Sequence, residues 1–475
     1  MNVQLRSGFF DKTLRNLRNG WRSLAGSDYD ASSAGNRPAL PDDDLETLRR
    51  QMTDCLEGKG GAVSARSRAA ALGHVYLALD AVGRGRFLHL MADDFGVNDA
   101  AVDLAIGNYR RATTDEKKRQ AELNLRRSLE APRVNLLRQF NALPDGTKFL
   151  VDLRAELLVM ARDAPELRGL EADLKALLES WFDVDFLELR QIAWNTASAA
   201  LLERLIAYEA VHAIASWDDL KNRLDSDRRC FAFFHPRMPD EPLIFVEVAL
   251  VNGLAGNVQA LLDEGAPVQN PDKMDTAIFY SISNAQKGLA GISFGNFLIK
   301  RVVDQLSKEF KGLKTFATLS PVPGFVKWLD QALADGAPKL MTAAEKKALN
   351  GAVGKTGGGK GTLRTLISDC GWVEDEITAN ALRAPLERLC LRYLVDEKGR
   401  HGRALDPVAH FHQTNGAILG RLHWLADSSE NGLRQSAGMM VNYLYELDRI
   451  DANHETYTGT GKVNVASDLK AKTKL

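Results

Sequence analysis

Three short stretches carry residue types and spacings that could do chemistry. The first is LSPVPGF, Leu319 to Phe325. Ser320 stands where the strand-like TFATLS ends, and Pro321, Pro323 and Gly324 follow it. Each proline fixes φ and removes a backbone donor, so the ground after one hydroxyl is held in one shape. Rigid loops at strand ends often carry function, although a plain strand-to-helix turn reads the same way. The second stretch is DPVAHFHQTNGA, with His410 and His412 beside Asp406 and Asn415. If it is a strand, both histidines face one side, where they could hold a metal or relay a proton; no third metal ligand is identifiable. The third is NYLYEL, whose Tyr443 and Tyr445 share a side on a strand and could serve as acids or as core aromatics.

A glycine-bearing segment offers a different chemistry. Gly288, Gly291 and Gly295 lead from the strand-like TAIFYSIS into an amphipathic helix bearing Ile299, Val303, Leu306 and Phe310 on one face. Helix N-termini present free N–H groups and a positive dipole end to phosphate. The spacing is not GxGxxG, so the segment is either a generic phosphate cradle or a tight turn whose glycines serve packing. GAVGKTGGGKGT fails as a phosphate loop. Leu349 stands where its first glycine belongs, and Gly361 stands where the second Gly-Lys needs Ser or Thr.

These stretches need a scaffold. TAIFYSIS, a helix and TFATLS form a strand–helix–strand unit, which sets two parallel strands side by side. Ligands in such sheets bind beyond the carboxyl ends of the strands, and Ser320 would stand at that edge. From Asp43 to about Trp181 the pattern is helical instead, with one apolar stripe at Leu150, Leu153 and Leu157 and another at Leu167, Leu170, Leu174 and Leu177. The expected organisation is an α+β multidomain chain: residues 1–180 a helical oligomerisation domain, residues 181–475 a mixed α/β catalytic domain.

Composition narrows the function classes. The 475 residues carry a net charge of −1, which gives no nucleic-acid footprint. Four cysteines without CxxC spacing point to a reducing compartment and away from a zinc ribbon. No run of about 18 uncharged apolar residues exists, so no membrane span is expected. PLIFVEVALVNGLAG comes nearest, and Glu247 interrupts it. The N-terminal SGFFDKTLRNLRNGWRSL is basic and amphipathic, with Arg15, Arg18 and Arg22, and reads as a surface helix or a targeting segment.

Taken in order, FFHPRMPDEPLIFVEVAL, TAIFYSISNAQKGLAGISFGNFLIKRVV, LSPVPGF, DPVAHFHQTNGA and NYLYEL resemble the malonyl-CoA decarboxylase family. The resemblance covers about residues 180–465 well and the helical part loosely. It implies a catalytic domain like the GNAT acetyltransferases, with acyl-CoA between two splayed strands. Its catalytic serine falls on Ser320, its histidine on His412 rather than His410, and the second tyrosine of its NYxY motif on Tyr445. Coenzyme A would be held at Gly288, Leu289, Ala290, Gly291, Ile292, Ser293, Phe294 and Gly295. Some members carry glutamate where this chain has Ser293.

The implied reaction turns malonyl-CoA into acetyl-CoA and carbon dioxide. The thioester carbonyl is itself the electron sink, so no metal or organic cofactor is expected; coenzyme A is part of the substrate. A homotetramer is also implied. The chain ends Thr473-Lys474-Leu475, which resembles the peroxisomal Ser-Lys-Leu but opens on threonine, and the expected location is the cytoplasm. An acyl-CoA-dependent acyltransferase and a catalytically silent acyl-CoA sensor are the competing readings. Mixing with malonyl-CoA alone separates them, because a decarboxylase needs no acceptor and a sensor makes no product.

Overall fold

The computed structural model describes residues 21, 37–58, 61–182, 186–292, 298–354 and 359–470. The basic N-terminal segment apart from Trp21, part of the Gly/Lys-rich insertion, residues 293–297 and the C-terminal tripeptide lie outside the described residues. Two compact units emerge. One takes in Met1–Glu188, Phe234–Leu243 and Ala285–Phe294; the other takes in Leu189–Phe233, Ile244–Asn284 and Gly295–Leu475.

The first unit is helical. Its described helices are α1 (Asp42–Leu56), α2 (Gly61–Ala78), α3 (Ala81–Asp93), α4 (Asp99–Arg111), α5 (Asp115–Ser128), α6 (Arg133–Asn141), α7 (Gly146–Met160) and α8 (Arg168–Trp181). Side-chain caps start several of them. Asp80 accepts from the Gly83 N–H, Asn98 from Ala101 and Thr114 from Lys117, each satisfying a donor that the first turn leaves over. Leu150, Leu153 and Leu157 are buried, as the sequence stripe predicts, and so are Leu167, Leu170, Leu174 and Leu177. Phe149 is the hub of an aromatic cluster, with Trp21, Tyr76 and Phe140 set edge-on at 4.8, 5.7 and 5.4 Å.

Segment 285–294 joins this unit through Arg154. Its guanidinium is buried, pairs with Glu171 at 2.7 Å, and donates to the carbonyls of Gly288 (2.6 Å) and Ala290 (3.0 Å). Gly288 meets α7 so closely that a Cβ would lie 1.7 Å from the Val151 carbonyl oxygen. Its lack of a side chain therefore has a packing reason. Gly291 differs: it sits at φ +73° with open space beside its Cα.

The second unit is built on one mixed sheet. Its strands are β1 (Glu188–Ile192), β2 (Arg228–Phe234), β3 (Ile244–Val251), β4 (Thr276–Asn284), β5 (Thr315–Thr318), β6 (Ser320–Pro321), β7 (Ile418–His423) and β8 (Met440–Leu444). The order is β1-β2-β3-β4-β5-β8-β6, with β7 paired to β8. Only β4 and β5 are parallel among the registers described, in line with the strand–helix–strand reading. The connecting helix buries Leu298, Ile299, Val302, Val303 and Leu306. Among the described residues no helix is long and apolar enough to cross a membrane.

Gly288→Ala should destabilise the protein by about 1–3 kcal/mol, since the added methyl has no room against the Val151 carbonyl. Thermal unfolding measures this; an unchanged midpoint would mean that the segment does not pack there.

Candidate active site

The parallel ladder between β4 and β5 runs from Thr276 opposite Thr315 to Phe279 opposite Thr318. Leu319 N–H still reaches the Phe279 carbonyl at 2.9 Å, and then the strands part. The sequence suggests that the strand breaks at Ser320. It changes partner instead: Ser320 and Pro321 pair with Val441 and Met440 of β8. Pro321 has no N–H, so pairing at this short strand leaves one donor fewer to satisfy.

A cavity of about 230 Å³ occupies the gap. Val211, Ile244, Phe279, Ile282, Val408 and Phe411 give it apolar walls, and Ser320 and His412 supply polar atoms. Among the described residues no lysine or arginine lines it.

His412 arrives on a helix. The DPVAHFHQ stretch forms a helix, Pro407–Thr414, and not the strand considered above. Asp406 caps it, accepting from Val408 N–H at 3.0 Å and Ala409 N–H at 2.8 Å, with Pro407 at the first helical position. Residues two apart on a helix point in different directions. His410 accordingly turns to the Tyr457 hydroxyl at 2.8 Å, while His412 turns to Ser320. Among the described residues no three His, Cys, Asp or Glu side chains cluster to hold a metal ion.

Ser320, His412 and Tyr445 form one hydrogen-bonded chain. Ser320 Oγ donates to Thr318 Oγ1 at 2.9 Å and lies 3.1 Å from His412 Nε2. His412 Nδ1 lies 2.8 Å from the Tyr445 hydroxyl. With the Ser320 proton directed at Thr318, Nε2 is the donor to Ser320. A neutral imidazole has one N–H, so Nδ1 accepts from Tyr445. Thr318 Oγ1 is fixed in turn by the Tyr443 N–H at 3.1 Å. The Tyr443 ring stacks on His412 with centroids 4.5 Å apart and planes 23° apart.

Burial sets the electrostatics. It pushes His412 from its ordinary 6.5 down to about 3. It raises the Tyr445 hydroxyl well above the usual tyrosine range. His412 lies in the last turn of its helix, where the backbone dipole favours a cation by at most about 2 kcal/mol. The burial shift is worth roughly 5 kcal/mol, so desolvation wins and the ring stays neutral. Asp406 is also pushed up by burial, opposed by the N–H groups of Ala409, Gly324 and Val408 and by the Tyr393 hydroxyl. Asp406 thus connects the start of the histidine helix with the loop after Ser320.

Sequence reasoning selected Ser320, His412 and Tyr445, and the structure brings the three together. It passed over Thr318, whose place two residues before Ser320 on a strand puts both hydroxyls on one face. It left Tyr443 open between an acid and a core aromatic; Tyr443 is buried, and its ring packs against the imidazole. Of the coenzyme-binding stretch, Gly288 to Ile292 are described, and Ser293, Phe294 and Gly295 are outside the described residues.

The depressed His412 pKa has a consequence for stability. As pH falls below 6.5 the unfolded chain takes up the proton and the folded one does not until near pH 3. Stability contributed by this residue is therefore present above 6.5 and lost on acidification. Between pH 7 and pH 5 the loss is about 2 kcal/mol. A His412→Gln protein should lack that component in urea titrations at the two pH values; an identical pH response would contradict the assignment.

Comparison with known proteins identifies the family. A family model described as malonyl-CoA decarboxylase C-terminal domain matches residues 185–475, and one described as its N-terminal domain matches residues 95–182. The mitochondrial malonyl-CoA decarboxylase of Anser anser anser is 36% identical over 421 residues, 85% of this chain and 83% of that protein. The Rattus norvegicus mitochondrial enzyme is 37% identical over 405 residues, 82% of each. Two crystal structures are similar throughout. Malonyl-CoA decarboxylase from Rhodopseudomonas palustris has a TM-score of 0.82 at 42% identity, covering 91% of this chain and 99% of that one. The Agrobacterium vitis protein has a TM-score of 0.80 at 40% identity, covering 90% and 100%. The chain belongs to the malonyl-CoA decarboxylase family.

Proposed function

We propose that this carboxy-lyase decarboxylates malonyl-CoA without metal or organic cofactor, and that Ser320 and His412 carry the proton chemistry. The observation that carries this reading is the continuous Tyr445–His412–Ser320 chain ending at the wall of a small apolar cavity. The malonyl group lies in that cavity. Among the described residues no lysine or arginine lines the cavity, and loss of neutral carbon dioxide shifts the poorly solvated carboxylate charge onto the thioester. The electron pair left behind moves into the thioester carbonyl as an enolate. Ser320 Oγ stands at the cavity wall, and its hydroxyl turns from Thr318 to orient the carboxylate and then protonates the α-carbon. His412 Nε2–H donates to the serine oxygen as its proton leaves, and the Tyr445 hydroxyl holds Nδ1 as the acceptor. One proton from solvent returns to Ser320 Oγ with the imidazole tautomer unchanged, so acetyl-CoA, carbon dioxide and the uptake of one proton balance.

Within this reading coenzyme A phosphates belong at residues 288–295. The open left-handed turn at Gly291 supports backbone approach there. The helical part supplies subunit contacts in a homotetramer. Leu104, Leu123 and Leu129 on and after the α4–α5 hairpin are 63%, 49% and 55% exposed, which supports such a surface. Leu104→Glu should then lower the mass seen by light scattering, and an unchanged mass would place the interface elsewhere. Four free cysteines fit a reducing, cytoplasmic setting.

Ser320→Ala and His412→Ala should each lower kcat on malonyl-CoA by roughly 10²–10⁴-fold. His410→Ala should keep most of it, because His410 faces Tyr457. Acetyl-CoA formation without any acceptor is the assay. A Ser320→Ala enzyme with more than about a tenth of wild-type turnover would sink the proposed role.

A further inference from the structure

On the face of β4 away from the acyl cavity lies a set of buried polar side chains that the chemistry above does not use. Ser281 and Ser283 flank Ile282, a cavity residue, and so point to the other face. Ser281 donates to both carboxylate oxygens of Glu209 at 2.8 Å. Glu209 also accepts the backbone N–H groups of Val211 (2.7 Å) and His212 (2.9 Å). Ser283 Oγ accepts the Ala210 N–H at 3.2 Å. Arg223 donates to the His212 carbonyl at 2.9 Å, and pairs with Asp219 (2.7 Å) and Glu247 (3.1 Å).

Burying this much charge is costly unless its geometry is well satisfied, and here nearly every bond converges on one short loop, residues 209–213. That loop delivers Val211 to the cavity wall. The second object gripped is a bulge. Glu247 faces Ser281 and Val248 faces Phe279, which leaves Tyr280 without an opposite number where β4 leaves β5. The two serines anchor β4 directly after it. The polar cluster thus holds the two features that shape the acyl cavity.

We propose that Glu209, with Ser281, Ser283 and Arg223, is a positioning residue that fixes Val211 as a wall of the acyl cavity, and that this wall sets the preference for an unsubstituted malonyl thioester over its α-methyl homologue. The proposal rests on the cavity being the acyl site. One methyl group in an apolar pocket commonly changes kcat/KM by about 10–200-fold, so a displaced or shortened Val211 has a readable effect.

The experiment is the ratio of kcat/KM for methylmalonyl-CoA to that for malonyl-CoA. A merely structural role lowers the amount of folded enzyme and leaves this ratio alone. Val211→Ala and Glu209→Gln should each raise it about tenfold or more. Should Glu209→Gln not accumulate as folded protein, Ser281→Ala takes its place with the same expectation. A ratio unchanged in Val211→Ala overturns the wall. A ratio raised in Val211→Ala but unchanged in the clamp variants overturns the clamp. A wild-type protein inert toward both thioesters overturns the function reading, and this proposal with it.

Discussion

Two parallel strands that separate leave backbone groups without partners, and the chain has to satisfy them elsewhere. In this sheet the separation follows Phe279 and Thr318. The β5 side is satisfied by β8, which takes up Ser320 and Pro321. On the β4 side the ladder to β3 carries a bulge at Tyr280, and the Ser281 and Ser283 hydroxyls beyond it bond to Glu209 and to the Ala210 N–H. The gap is lined by β4, the Ser320 strand, the histidine helix and the loop carrying Val211. The residues assigned to the chemistry stand on β6, just after the end of β8, and on the helix that closes the gap.

The site depends on dryness. A histidine in water would be partly protonated near neutrality, and a cationic ring would offer Ser320 no defined tautomer. Stacking by Tyr443 and full burial remove that state at a cost the surrounding bonds offset. Both ring nitrogens have partners, so neither is left as an unsatisfied buried group. The absence of a lysine or arginine from the described lining follows the same logic. In the proposed reaction a cation would stabilise the carboxylate that has to be lost.

The sequence was most legible where one feature acts locally. The stiffened stretch after Ser320 picks out a hydroxyl that stands at the cavity wall beside His412, and the period-2 spacing of Tyr443 and Tyr445 brings both to the same imidazole. The two apolar stripes of the helical unit are also local, and their leucines are buried. The histidine segment was misread because HFH alternates like a strand. Asp406-Pro407, an N-cap followed by proline at the first helical position, was the local signal for a helix. Gly288 reads in the sequence either as a phosphate-cradle glycine or as a packing glycine, and the Val151 carbonyl gives it a packing reason that only the tertiary structure reveals. The clamp was not legible at all. Glu209 and Ser281 are 72 residues apart, and nothing in either neighbourhood names the other.

The central claim is that a neutral His412, protonated on Nε2, links Tyr445 to Ser320. Nitrogen NMR of the histidine-labelled protein, with His412→Gln used to assign the signal, reads tautomer and charge together. The account predicts a neutral ring with its proton on Nε2 and no titration between pH 8 and pH 5. An imidazolium forming near pH 6, or a proton resident on Nδ1, would contradict it.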